Sequence, residues 1–180
     1  MFQPDLYLRQ LPHAQERPRH HDLDVRAADE ARRLYQQARA KAGLKQAWAA
    51  LTGRSRRLLD LTAARASSVW HGAYEAGLRA VPIDCIRGSE NRLGDFDIDF
   101  HPIQAHTQQR WVSVATAWLT SVAMPPVELI QVGDDYFVRD GHHRISVARA
   151  LGQQDVDAVV TVWEMASSLQ PSAVLACAPV

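Results

Sequence analysis

The sequence predicts a mixed α/β (α+β) fold: a compact mixed-sheet module preceded by an α-helical extension. Three observations predict it. Apolar residues recur at three- and four-residue spacing from Asp24 to about Leu61, the period of a helix with one buried face. Beyond Ala80, short Val- and Ile-rich runs alternate with turn residues and helical stretches, as strands and helices of one sheet-based module would. The chain of 180 residues is 47% hydrophobic and 22% charged, enough for one sizeable core but not for two large domains.

Residues 1–23 hold Pro4, Pro12 and Pro18 without any helical or strand period and read as an extended arm. His13, His20 and His21 lie at its end without metal-ligand spacing and read as solvated histidines. The extension at 24–79 opens on Asp24 as a candidate N-cap, followed by Ala27, Ala31, Leu34, Tyr35 and Ala38. Gly43 is expected to interrupt it, a second short helix to carry Leu44, Ala47, Trp48 and Leu51, and Gly53 to stop that one. The module at 80–163 begins with a strand over Val81–Ile86, with Pro82 near an edge, and a polar loop from Arg87 to Asp99. Within the loop, Asp95–Phe100 alternates like a short amphipathic strand with a solvated acidic face; its carboxylates otherwise read as a metal cluster. Trp111, Val114, Ala115, Trp118, Leu119 and Val122 form a helical apolar stripe closed by Pro125-Pro126, and their tryptophans read as core. Val127–Val132 and Tyr136–Arg139 read as strands of a hairpin turning at Gly133-Asp134-Asp135. A helix over His142–Leu151 stops at Gly152, a Val-rich strand runs from Asp155 to Trp163, and residues 164–180 read as a tail.

Lys+Arg and Asp+Glu number 20 each, which excludes a strongly basic coat over the whole molecule. The balance hides an asymmetry. Residues 1–80 carry 14 basic and 8 acidic side chains, a net +6, and residues 81–180 carry 6 and 12, a net −6. The halves either pack against each other or the basic half meets an anionic partner, with Arg54, Arg56 and Arg57 as the weak candidates for contacting nucleic acid. Cys85 and Cys177 lie far apart with no CxxC, which is neither a cysteine zinc pattern nor a disulfide framework and fits a reducing compartment. The N-terminus lacks the apolar core of a signal peptide. The longest uncharged stretch, Trp111–Val127, is too short and polar to span a bilayer, which needs about 20 apolar residues. A cytoplasmic protein without a membrane partner is expected.

The chemistry concentrates in Val138-Arg139-Asp140-Gly141-His142-His143-Arg144, a strand turning into a helix. A helix start exposes unpaired N–H groups and the positive end of the dipole. Gly141 permits close approach of a ligand to the backbone. His142, His143 and Arg144 then place three potential cations where the dipole disfavours them, and a bound phosphate is the simplest compensation. The competing reading is a histidine pair that merely caps the turn. Asp140 caps the helix or holds Mg²⁺.

The run from Tyr136 to Gly152, with its Asp-Gly-His-His-Arg core, resembles the signature of the ParB/sulfiredoxin-like superfamily, and the order of elements over about residues 80–163 matches. The resemblance implies a loop at Asp140, Gly141, His142, His143 and Arg144 that grips nucleotide phosphates. Sulfiredoxins carry Cys where this chain has His142, so sulfinic-acid reduction is not implied. Partition ParB proteins have a Gly-Glu-Arg-Arg box at this position and continue into a helix-turn-helix domain. The Asp-Gly-His-x-Arg form looks closer to the kinase-like members, which points to ATP, with CTP as the alternative, together with Mg²⁺. Arg87 is expected to join the phosphate site, and Glu90 and His143 to be the catalytic pair. Asn91 and Arg92 stand beside them, Asp95, Asp97 and Asp99 are alternate carboxylates, and His106 and Arg110, four residues apart, are further phosphate ligands. Nucleotide binding with phosphoryl transfer or hydrolysis is the leading expectation. A ParB-like nuclease with DNA as partner and a non-catalytic interaction module are the alternatives, and a homo-oligomer is an allowed state.

Overall fold

A computed structural model describes residues 20–66 and 69–165, with side chains from residue 23 onward. His13 and Cys177 lie outside the described residues, as do the side chains of His20 and His21. The architecture is a mixed six-stranded sheet with helices packed mainly on one face. Its elements are α1 (His20–Thr52), β1 (Leu59–Asp60), α2 (Leu61–Ala66), β2 (Trp70–Pro82), β3 (Ile86–Ser89), α3 (Gln108–Leu119), β4 (Val127–Val132), β5 (Asp135–Asp140), α4 (His142–Ala150) and β6 (Asp155–Met165). Single 3₁₀ turns at Ile83–Cys85 and Ala105–Thr107 join them.

The strand order is β1-β3-β5-β4-β6-β2. The hairpin β4–β5 is antiparallel and turns through Gly133-Asp134, as the sequence predicts. β6 lies parallel to β4 and antiparallel to β2, and β3 runs parallel to β5. Both faces of β4 are buried. Val127 and Leu129 join the main core, and Ile130 and Val132 join a smaller cluster under Leu61 of α2. The main core brings α1 (Ala31, Tyr35, Ala38), α3 (Trp111, Ala115) and α4 (Ile145, Val147, Ala148) onto that sheet. Trp111 is completely buried, and its indole N–H donates to Ser146 Oγ at 2.8 Å, tying α3 to α4.

Three expectations are corrected. Gly43 does not break α1, which runs on to Thr52 and then stops at Gly53 in the left-handed region (φ 65°). A mid-helix glycine costs only about 1 kcal/mol, and Ala38, Ala42 and Ala49 are buried on its two sides. Residues 70–79, expected within the helical extension, are strand. β2 pairs with β6 from Trp70↔Met165 to Pro82↔Asp155, so a long-range partner overrides the local pattern. The sheet therefore takes in Leu59–Asp60 and Trp70–Pro82 from before residue 83, and the strand that leads into the polar loop is Ile86–Ser89 rather than Val81–Ile86. Finally, Asp95–Phe100 is a run of turns with isolated bridges Arg57↔Asp97 and Phe96↔Pro102, not a strand. Phe96, Asp97 and Phe100 point inward there, so its acidic face is not a solvated one.

Candidate functional site

α4 begins where β5 ends, and Gly141 makes the corner with φ 100°. A Cβ there would lie 2.5 Å from Val127 Cγ1, so the turn requires glycine both for its conformation and for its approach to β4. The first helical bond runs from Ile145 N–H to Gly141 O (3.0 Å). The N–H groups of His142, His143 and Arg144 therefore precede the helical ladder. No side chain caps them, so Asp140 is not the expected N-cap.

These N–H groups border a cavity of about 350 Å³, lined among others by Arg92, His106, Thr107, Arg110 and His143. Arg110 is exposed on the first turn of α3 and forms no hydrogen bond or ion pair among the described residues. Arg92 binds Asp95 at 3.2 Å, and the same carboxylate binds His106 Nε2 at 3.1 Å. His143 stands edge-on to Phe96 at 5.3 Å, and its buried Nδ1 finds no hydrogen-bond partner among the described residues. Burial first, then the charges of Arg92 and Arg110, push the His143 pKa down to about 4. The imidazole is neutral at neutral pH, and the cavity's field is positive.

His142 also borders this cavity, but its ring is engaged inside. It is 3% exposed, and its Nε2 lies 2.7 Å from Ser89 Oγ. Ser89 Oγ already accepts the N–H groups of Asn91 (3.3 Å) and Arg92 (2.9 Å). Its own proton is left for Nε2, which fixes His142 as a neutral acceptor. Burial, followed by the charge of Arg92, pushes its pKa down to about 4. The pair staples the end of β3 to the start of α4, and thereby orients Arg92. Ser89 was not singled out from the sequence; its only local signal is a hydroxyl in the turn-rich run Gly88-Ser89-Glu90-Asn91.

The other expected site residues are spread more widely. The Arg144 guanidinium donates to Pro125 O, to Pro126 O (2.7 Å) and to Asp140 (2.5 Å), bracing the corner from within. Glu90 accepts from Arg139 Nε at 3.3 Å and is not among the residues lining the cavity. Arg87 pairs with Asp135 at 3.6 Å, also away from it. Arg56 is spent internally on Asp97 and Asp99, whereas Arg54 and Arg57 are exposed.

Asp97, Asp99 and His101 lie close enough together to hold a cation. Arg56 and Lys45 already pair with these carboxylates, and the His101 ring hydrogen-bonds Asp97. Burial would raise the Asp97 carboxyl, but hydrogen bonds from His101 outweigh it and hold the group below its ordinary value. For Asp99, burial is likewise outweighed, by Lys45 and Arg56. The cluster is an internal charge lock between α1, the Arg56 segment and the loop. At the cavity, Asp95 and Asp140 are each paired with an arginine. The donor set there does not fit a protein-held Mg²⁺.

No protein-family model matches this chain, and no curated protein matches it. Among solved structures, sulfiredoxin from Arabidopsis thaliana is similar to it at 18% identity, over 46% of this chain and 82% of that chain, with a TM-score of 0.35. A likeness at that level decides nothing about ligand or activity.

Proposed function

We propose that this chain binds the phosphate groups of a nucleotide at the start of α4. The observation that carries the reading is the unpaired Arg110, which faces, with Arg92, a cavity bordered by three N–H groups outside the helical ladder. Two cations and a dipole end without an opposing free carboxylate favour an anion. The resemblance of the Tyr136–Gly152 run supports a nucleotide, ATP or CTP, over a simple inorganic anion. The proposal is for binding. Glu90, paired with Arg139 and outside the cavity lining, has no catalytic part in this reading, and His143 is assigned as a neutral wall of the site.

Calorimetric titration with ATP, CTP, GTP and inorganic phosphate tests it. A charge-assisted contact is worth about 1.5–3 kcal/mol, so Arg110→Ala should weaken nucleotide binding by roughly 10- to 150-fold. The melting temperature should stay unchanged, because Arg110 is exposed and has no partner to abandon. Equal affinity in the variant, or no binding of any of these anions at millimolar concentration, overturns the reading.

A further inference from the structure

Between Glu30 and Asp60 the chain holds no acidic residue and eight basic ones. The last turns of α1 lie in this stretch and leave Leu44, Trp48 and Leu51 74%, 67% and 82% exposed. Their four- and three-residue spacing places them on one helix face, with Lys41 one turn before. A groove of about 300 Å³ runs beside Leu44 and Trp48 to the returning Arg54–Arg56 segment. Lys45 is already paired with Asp99, but Lys41 and Arg54 form no ion pair among the described residues. The face is apolar and basic.

A complementary surface occurs on the same chain. The cavity of about 550 Å³ at the end of α3 has Trp118, Val122, Met124 and Pro125 in its wall, and Asp155 and Asp157 at its edge. Both carboxylates are exposed, stand two apart on one side of β6 and are unpaired among the described residues. The cation that also borders this cavity, Arg144, is already engaged by Asp140 and two carbonyls. The two surfaces share no residue. Lys45 meets Asp99 and Tyr35 meets Thr107 and Trp111, so the first turns of α3 pack at Tyr35, three to four turns before Trp48.

We infer that these surfaces bind each other in separate copies, so that the protein self-associates head to tail. Trp48 of one copy enters the Trp118–Val122–Met124 cavity of the next, and Lys41 and Arg54 face Asp155 and Asp157. A two-fold contact of the basic face with itself would set like charges opposite one another. The contact joins two different surfaces, so it is heterologous, and growth continues past the dimer as a filament or until a larger ring closes. The inference does not rest on the nucleotide reading: the Trp118 cavity and the nucleotide cavity share only Arg144, and none of the residues assigned to the contact between copies lines the nucleotide cavity.

Sedimentation velocity of the full chain tests it. The wild type should grow beyond dimer with concentration, and added salt should weaken that growth. Trp48→Gln should weaken association by about 30-fold or more, the loss of an aromatic anchor. A patch variant (L44Q/W48Q) and a cavity variant (D155K/D157K) should each stay monomeric with wild-type circular dichroism. Mixed in equal amounts, they should form a 1:1 dimer and stop there, since each keeps one intact half of the contact. A wild type that is monomeric at hundreds of micromolar, one that stops at dimer, or a folded pair of variants that fails to combine overturns the inference. So does a DNA duplex that binds the α1 face while the chain alone stays monomeric.

Discussion

The Arg144 guanidinium lies at a helix start, where a cation opposes the dipole, yet it is largely buried against Pro125 O, Pro126 O and Asp140. Asp140 cancels the charge, and the two carbonyls of the Pro-Pro segment receive N–H donors that no strand supplies. This makes Arg144 a brace before it is a ligand contact. Arg144→Ala should therefore lower stability by about 1.5–3 kcal/mol, the worth of charged hydrogen bonds, as read by urea unfolding. An unchanged unfolding midpoint would show the brace to be dispensable. The neighbouring histidines illustrate how far spacing reads a site. Their adjacency and their place at a helix start are visible in the sequence. That His142 bonds Ser89 and stacks on Phe96 while His143 stands edge-on to Phe96 follows from the 100° step between successive helical residues and from what the fold sets beside each. Sequence spacing alone cannot supply those neighbours.

At the scale of elements, the corner between β5 and α4 depends on a single glycine. Gly141→Ala would force a Cβ into Val127 Cγ1 at 2.5 Å and strain a φ of 100°. It should destabilise the fold by more than 1 kcal/mol, and it should also cost nucleotide affinity by tilting the first turn of α4. A chain with wild-type melting temperature and affinity would contradict this role. Elements with local signals were legible: the β4–β5 hairpin from its turn, α3 from its apolar stripe and Pro-Pro end, α4 from its glycine boundaries. β2 was not, because Ala73, Ala76, Gly77 and Ala80 carry no strand period and its strand state comes from β6, about 80 residues away. Arg56 was misread for a similar reason. Its partners Asp97 and Asp99 lie some 40 residues on, in a loop whose alternation mimics a strand.

For the whole molecule, the two depressed histidines set an acid sensitivity. Both His142 and His143 are pushed down to about 4 from an ordinary 6.5. Between those values the unfolded chain binds protons that the folded chain refuses, so stability falls as pH drops from about 6.5 to about 4. Asp97 and Asp99 act in a lower window. Their folded values lie below 3.8, so their contribution is present above that pH and is lost as pH falls through the lowered values. The melting temperature, followed from pH 7.5 to 4.5, should decline steadily, and His142→Asn should shallow the slope. A flat profile over that range would count against the buried neutral imidazoles. The candidate site as a constellation was half legible: Gly141, His143 and the helix start were singled out together, and Arg110 was noted for its spacing from His106. Their meeting with Arg92 depends on the Ser89–His142 staple, which joins a strand end to a helix start that no local pattern relates. The strand order has one more consequence. β6, last in chain order among the described strands, lies between β4 and β2 and pairs with both. A nascent chain interrupted before Asp155 leaves the inner edges of Trp70–Pro82 and Val127–Val132 open together, so the sheet closes only after β6 itself has left the ribosome.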